Sequence, residues 1–225
     1  IYDIKELLSA ESSDDRSFHF SDEHIIFRYE KKRAALVEQK FNSARGTNAN
    51  LIQHMKVAME RVDRSMCPGV PIGCKILRSV EKIPSVVWLH RGAFVVRVGS
   101  LDIASKGYSY IDYSGVPFVY SSVINQKKPI YAFITGGYLY VISKNKAVQA
   151  IQNVGLSAVF EEPSVIMLGG DCISGDCQTY PISASIHDMC VNLTIKDMMM
   201  KYQIPDDDSN DAAPTDATIG DGGKK

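Results

Sequence analysis

The chain has 225 residues, 45% hydrophobic and 23% charged, with a formal net charge of -1. That length buries one good core, or one core with a helical addition, and near-neutrality supplies no global field toward nucleic acid or an anionic membrane. No apolar run approaches the roughly 18 residues of a membrane span, the N-terminus lacks the form of a signal peptide, and five cysteines suit a reducing compartment, so the expectation is a protein made and kept in a cytosol.

Residues 1–10 read as a short helix with Ile4, Leu7 and Leu8 on one side, broken by "ESSDDRS". Ser21 is an N-cap, with Asp22 and Glu23 in the first turn where they suit the helix dipole. The helix it opens runs to Phe41. Its apolar stripe is Ile26, Tyr29, Arg33, Val37 and Phe41, or Ile25, Tyr29, Leu36 and Phe41, and the opposite face carries Arg28, Lys31, Lys32 and Lys40. "NSARGTNAN" ends it in a loop.

Residues 51–63 fit a helix or a strand, and the strand through Gln53, Met55, Val57 and Met59 is preferred because strand-like segments follow. "CKILRSV", "SVVWLH", "AFVVRVGS", "GYSYIDY" and "PFVYSSVI" are rich in β-branched and aromatic residues and divided by turn formers. "PIYAFITGGYLYVIS" predicts a hairpin, Tyr131–Thr135 and Tyr138–Ser143, around Gly136-Gly137. A short helix over "NKAVQAIQNV", a last strand over "SAVFEEP" and a closing helix from about Ser183 to Tyr202 complete the reading. In that helix Ile186, Met189, Cys190, Leu193, Lys196 and Met200 recur on one face. The tail from Pro205 to Lys225 has six Asp and two Lys, a net of -4, which leaves +3 on the rest. With almost nothing apolar to bury, it is expected to be disordered when free.

The fold class is therefore α+β: an antiparallel, barrel-like β core flanked by N-terminal and C-terminal helices. The divisions are a helical region over 1–50, the β-rich core over 51–182, the C-terminal helix over 183–204 and the acidic tail over 205–225.

Chemistry is sparse. There is no GxGxxG, P-loop, HExxH or GxSxG. "GGDCISGDCQTYPIS" holds Cys172 and Cys177, and His187 and Cys190 follow, so a Cys3His zinc site is formally possible. Glycines and aspartates there are turn formers, however, and Cys190 falls on the apolar side of the helix. The turn reading is preferred. Cys67 and Cys74, with two prolines between them, form a rigid lead-in to a strand and lack redox CxxC spacing. The histidines are scattered without partners. Glu161 and Glu162 lie at a strand end, where adjacent residues point to opposite faces and form no acid-base couple. "RYEKKR" is interrupted by glutamate and lacks the aromatic platform of single-strand binding. The run Met198 to Met200 suits either an adaptable docking face or simple packing.

In order, the chain carries "RAALVEQK", "CPGVPIGCKILRSVEKIP", "RVGSLDIASKGYSYIDY", "YLYVISKN", "AVFEEP" and "YPIS" before the terminal helix. Across roughly Glu23 to Asp211 this resembles the head-to-tail connector or neck ring proteins of crAss-like and related tailed bacteriophages. The resemblance implies a non-enzymatic virion structural protein, made in the host cytoplasm and located in the neck or tail. It implies no cofactor and no metal. Its partners would be further copies in a closed ring of about a dozen, the portal protein, and tail or other ring proteins. Double-stranded DNA would pass through the channel without sequence-specific contact. Contact residues placed on this basis are Arg28, Lys31, Lys32 and Arg33, with Met198, Met199, Met200 and Tyr202 of the terminal segment. The rival reading is a small cytosolic zinc or thiol enzyme using Cys172, Cys177, His187 and Cys190, and a third is another virion ring, of tail or capsid.

Overall fold

Alternating burial along nine residues sets the centre of the fold. In the computed structural model, which describes residues 4–6, 20–43, 48–67, 69–102, 104–119, 129–169 and 180–200, strand β1 (Gln53–Arg61) buries Gln53, Met55, Val57 and Met59 and turns the residues between them away. The period of two settles the strand reading of this stretch. The other strands are β2 (Lys75–Ser79), β3 (Trp88–Leu89), β4 (Gly92–Ala93), β5 (Val95–Gly99), β6 (Ser109–Tyr110), β7 (Tyr131–Thr135), β8 (Tyr138–Ser143) and β9 (Asn153–Ala158). The helices are α1 (Asp22–Ser43), α2 (Pro163–Gly169) and α3 (Ala184–Met200).

Seven strands form one sheet in the order β5-β9-β1-β2-β8-β7-β6, and β3 and β4 make a separate hairpin. All neighbours are antiparallel except β6 and β7, which run parallel. The sheet curls until its two outer strands nearly meet, where the Tyr108 amide donates to the Val98 carbonyl at 2.7 Å. Two glycines permit that approach. A Cβ on Gly99 would stand 3.2 Å from Gly107 Cα, and one on Gly107 would stand 3.3 Å from the Val98 oxygen. Arg97 ties down the intervening loop through the carbonyls of Ser100, Asp102 and Ser105. Near-closure removes most of the unpaired edge that an open sheet would present.

The inside of this barrel-like sheet holds Met55, Val57, Leu77, Val98, Leu139, Val141 and Leu156. The sheet is covered in two places, on its outer surface and at one end. Ile76, Phe133, Tyr140 and Ile142 pack under Cys67, Val70 and Val116. Leu51, Val87 and Val159 pack under Leu36 and Val37 of α1 and Ile186 and Cys190 of α3. The predicted hairpin is present, with Gly136 at φ +60 and Gly137 at φ +80, as a two-residue turn matching strand twist requires.

Several expectations are corrected. "PFVYSSVI" is not a strand where described: residues Tyr113–Phe118 form a 3-10 helix, because Pro117 cannot donate to a ladder; residues 120–124 lie outside the described part. The helix over "NKAVQAIQNV" shrinks to a 3-10 turn, Lys146–Ala150, capped by the Asn145 side chain. Strand β9 then begins at Asn153, four residues before the expected "SAVFEEP". Helix α2 was not anticipated, since "PSVIMLG" is too short to show helical periodicity. In α3 the buried side is Ile186, Cys190, Val191, Thr194, Ile195 and Met198, while Met189 and Leu193 are exposed. The first helix is described only at residues 4–6, which are helical. Leu7, Leu8 and the tail 205–225 lie outside the described residues.

Replacing Leu156, fully buried inside the sheet, with alanine is expected to cost about 2–5 kcal/mol, read as a lower urea midpoint with an unchanged slope. Gly99→Val, which forces the barrel seam apart, should destabilise too, whereas Val96→Thr on the exposed outer face should leave the midpoint within about 0.5 kcal/mol of its starting value.

Candidate assembly surface

Arginine is an unusual residue to find at the centre of a helix stripe, and here it is completely enclosed. Ser21 starts α1 by accepting the His24 amide at 3.3 Å, and three turns on Arg33 is 0% exposed. Its Nε donates to the Pro181 carbonyl at 2.9 Å and its Nη1 to the Phe160 carbonyl at 2.8 Å. Its guanidinium carbon lies 5.8 Å from the Tyr180 ring centre. One turn earlier Glu30, also buried, accepts the Ser164 amide at 3.0 Å and so caps the N-terminus of α2. Gln53, at the start of β1, donates to the Pro163 carbonyl at 3.2 Å. Burial lowers the proton affinity of Arg33, while the fields of Tyr180, Cys190, Glu30 and Tyr29 oppose that loss. The same burial pushes the Tyr180 and Tyr29 hydroxyls well above the usual phenol range. Arg33 was placed among surface contact groups; in the folded chain its side chain has no face to offer a partner.

The remaining basic residues of α1 reach water but spend their charge within the chain. Arg28 and Lys32 both pair with Asp197 of α3, at 3.3 and 3.1 Å. Lys31 pairs with Glu161 at 3.4 Å and Glu162 at 3.2 Å, and the hydrogen bonds it donates to both glutamates, Glu162 foremost, hold its pKa above the usual lysine value. The two adjacent glutamates were expected on opposite faces. They converge on one ammonium because the chain leaves the strand direction there and turns into α2. Lys40 donates to Ser185 Oγ at 2.7 Å.

Of the terminal-segment residues, Met198 is buried with Ile4, Ile25, Val191 and Ile195, and Met199 packs against that group. Met200 ends α3, and Tyr202 lies outside the described residues. Cys172 and Cys177 also lie outside them. Cys190 is fully buried, and burial pushes its thiol up from 9.0 to about 11 although Arg33 pulls the other way. That is the protonated thiol of a core residue, the reverse of what a nucleophile or zinc ligand needs. Among the described residues no group of three His, Cys, Asp or Glu side chains gathers at metal-binding distance. An apolar cavity of about 470 Å³ opens between Ile4, α1, α2 and α3, lined by Ile25, Tyr29, Met167, Tyr180 and Val191, with His187 beside it. The described side chains bring no nucleophile and base together there. His54 contacts Ser157 Oγ at 2.7 Å, and burial, with Arg97, lowers its pKa.

Two features escaped the sequence reading. Exposed apolar side chains stand at separate places: Met189 and Leu193 on α3, and Met66 and Ile72 in the segment leading to β2, where Ile72 is 78% exposed. Beside the second, Arg61, Arg64 and Lys75 line a cleft of about 330 Å³ with Asp63, Cys74 and Gln149. The cations are spread over fifteen residues of sequence, so no local run announced them.

Residues 1–218 match the sequence model of a family described as Phage tail ring protein 2, of the crAss-like group. No curated protein matches the chain. Among the described residues no helix is long and apolar enough to cross a membrane.

Arg33→Ala leaves two buried carbonyls unpaired and a hole in the helix packing, and should lower the unfolding free energy by about 3 kcal/mol or more. Lys31→Ala or Lys32→Ala, at partly exposed pairs, should change it by less than about 1 kcal/mol; urea unfolding followed by circular dichroism separates the two. The raised Cys190 pKa sets a pH dependence. The folded state holds that proton more tightly than the unfolded chain, so its contribution is complete below about pH 9 and is lost as pH rises through about 11. Unfolding midpoints should fall across that window, and Cys190→Ala should flatten the fall.

Proposed function

The chain belongs to the phage tail ring protein 2 family, structural components of the virion tail, and on that premise we propose that it serves as a head-to-tail connector. Copies of it close into a ring, about a dozen around the DNA channel, and join the portal to the tail without catalysing a reaction. The observation that carries this reading is the family match over nearly the whole chain. The surface supports it. Side-to-side contacts in a ring are heterologous, so each subunit needs two unlike surfaces. Met189 and Leu193 on one helix, and Met66 and Ile72 on a strand lead-in, are unlike exposed apolar surfaces on different elements. The portal contact is assigned to the outer face of α1, with Arg28, Lys31 and Lys32 acting through exchange of their present carboxylate partners. The charges are already balanced at that face, so shape and partner exchange govern it rather than bulk attraction.

Quantitative peptide mass spectrometry on purified particles, referenced to the major capsid protein, tests the proposal. About a dozen copies per particle is the expected result, and hundreds of copies would place the protein in the shell or tube instead. Infectious, DNA-filled particles carrying Arg28→Ala, Lys31→Ala and Lys32→Ala together would count against the portal contact.

A further inference from the structure

The cations Arg28, Lys31 and Lys32 of α1 have carboxylate partners within the chain. Those at the far end of β1 do not: among the described residues, no carboxylate pairs with Arg61, Arg64 or Lys75. They are nevertheless held in place. Arg61 donates twice to the Gln149 carbonyl, at 3.1 and 2.9 Å, and Arg64 donates to the Val70 carbonyl at 3.0 Å. Each guanidinium carries five N–H donors, so both retain donors beyond these bonds. Lys144 and Arg64 lie close enough to act on the Cys74 thiol in the same cleft. Among the described residues, Asp63 is the only carboxylate in the cleft wall. Arg61, Arg64 and Lys75, set around a concavity and without a carboxylate partner among the described residues, make a site for carboxylates or phosphates.

We propose that this cleft receives the acidic C-terminal segment, residues 205–225, of a neighbouring copy of the chain. The inference rests on the ring reading above and names a contact within it. The segment contains Asp206, Asp207 and Asp208 in a row and Asp211 just beyond, within a net of -4, against +3 on the rest of the chain. Arginine forks match carboxylates in a two-bond geometry. An extended peptide with short acidic side chains enters a cleft of about 330 Å³, walled partly by Val62 and Ile76, more readily than a rigid duplex does. Helices α1 and α3 pack with Leu51, at the Gln53 end of β1, whereas the cleft stands at the Arg61 end, about 30 Å away at about 3.3 Å per strand residue. A head-to-tail ring brings unlike surfaces of adjacent copies together, which gives a neighbour's segment access to the cleft.

Carbodiimide cross-linking of the full chain tests this, since it joins lysine amines to carboxylates in contact. An equal mixture of 15N-labelled and unlabelled protein is used, so that links between copies carry mixed isotopes. The expected result is mixed-isotope links from Lys75 or Lys144 to Asp206–Asp211. Arg61→Glu with Arg64→Glu, both outside the hydrophobic core, should reduce them at least about fivefold. Raising salt from about 0.1 M to about 1 M, which shortens the screening length from about 10 to about 3 Å, should do the same without any substitution. Links within single copies only, no links to these aspartates, or links indifferent to both charge reversal and salt would overturn the proposal. Overturning evidence of another kind would be a short DNA duplex that shields Lys75 and Lys144 from acetylation equally well in excess over the tail. The ring reading fails separately, through particle copy number, and mixed-isotope links would stand even then.

Discussion

A single buried guanidinium ties together parts of the chain that are far apart in sequence. Arg33 comes from the N-terminal helix, and its two carbonyl partners belong to Pro181, just before α3, and Phe160, just after β9. Removing a charge from water costs several kcal/mol unless hydrogen bonds replace the lost hydration, so this position is tolerable only when both carbonyls are presented to it. That requirement fixes α1 and the start of α3 relative to the sheet. Glu30 acts one turn away by capping α2, and the helical layer becomes one unit on the end of the barrel. Hydrophobic packing of Leu36, Val37, Ile186 and Cys190 supplies the bulk of the adhesion. The guanidinium supplies direction, which non-directional apolar contact does not.

This division of labour suits a structural subunit. In the helical layer burial keeps the Cys190 thiol protonated, and Tyr29 and Tyr180 keep their hydroxyl protons. What is left to vary lies on the outside, where ion pairs across α1 and α3 neutralise one face and the Arg61 end of β1 keeps its cations. Exposed ion pairs are individually weak, so the first face exchanges partners at little cost. At the second, no carboxylate among the described residues pairs with Arg61, Arg64 or Lys75. A near-zero total charge thus conceals a polarity between the acidic segment 205–225, at -4, and the rest of the chain, at +3.

Much of the fold was legible because it depends on local rules. The Gly136-Gly137 hairpin and the Ser21 cap each specify their element within a few residues, the strand from Gln53 to Met59 was preferred over a helix from the strand-like segments after it, and all three are present. The misreadings have physical causes. Met189 and Leu193 share helical spacing with Ile186 and Cys190, yet the groove between α1 and the sheet admits only one side of α3. Pro117 outweighed the β-branched residues around it. Glu161 and Glu162 were assigned to opposite faces by strand rules, but β9 ends at Ala158 and both meet Lys31. The sequence placed Arg28, Lys31 and Lys32 on one helix face but gave no sign that Arg33 turns inward or that Asp197 meets Arg28 and Lys32.

By itself the sequence determined the class of the protein: strands by their period of two, terminal helices by their caps and stripes, and a resemblance to phage ring proteins carried by the order of its segments. Only the tertiary structure decided which charges are available to a partner. Pairing between Lys31 and Glu161, or Lys32 and Asp197, joins residues more than a hundred positions apart. The near-closure of the barrel likewise depends on Val98 meeting Tyr108 across a loop pinned by Arg97. A charge run records how many cations a segment has. Whether they are spent depends on what the fold brings within about 4 Å of them, because that is the range at which an ion pair forms.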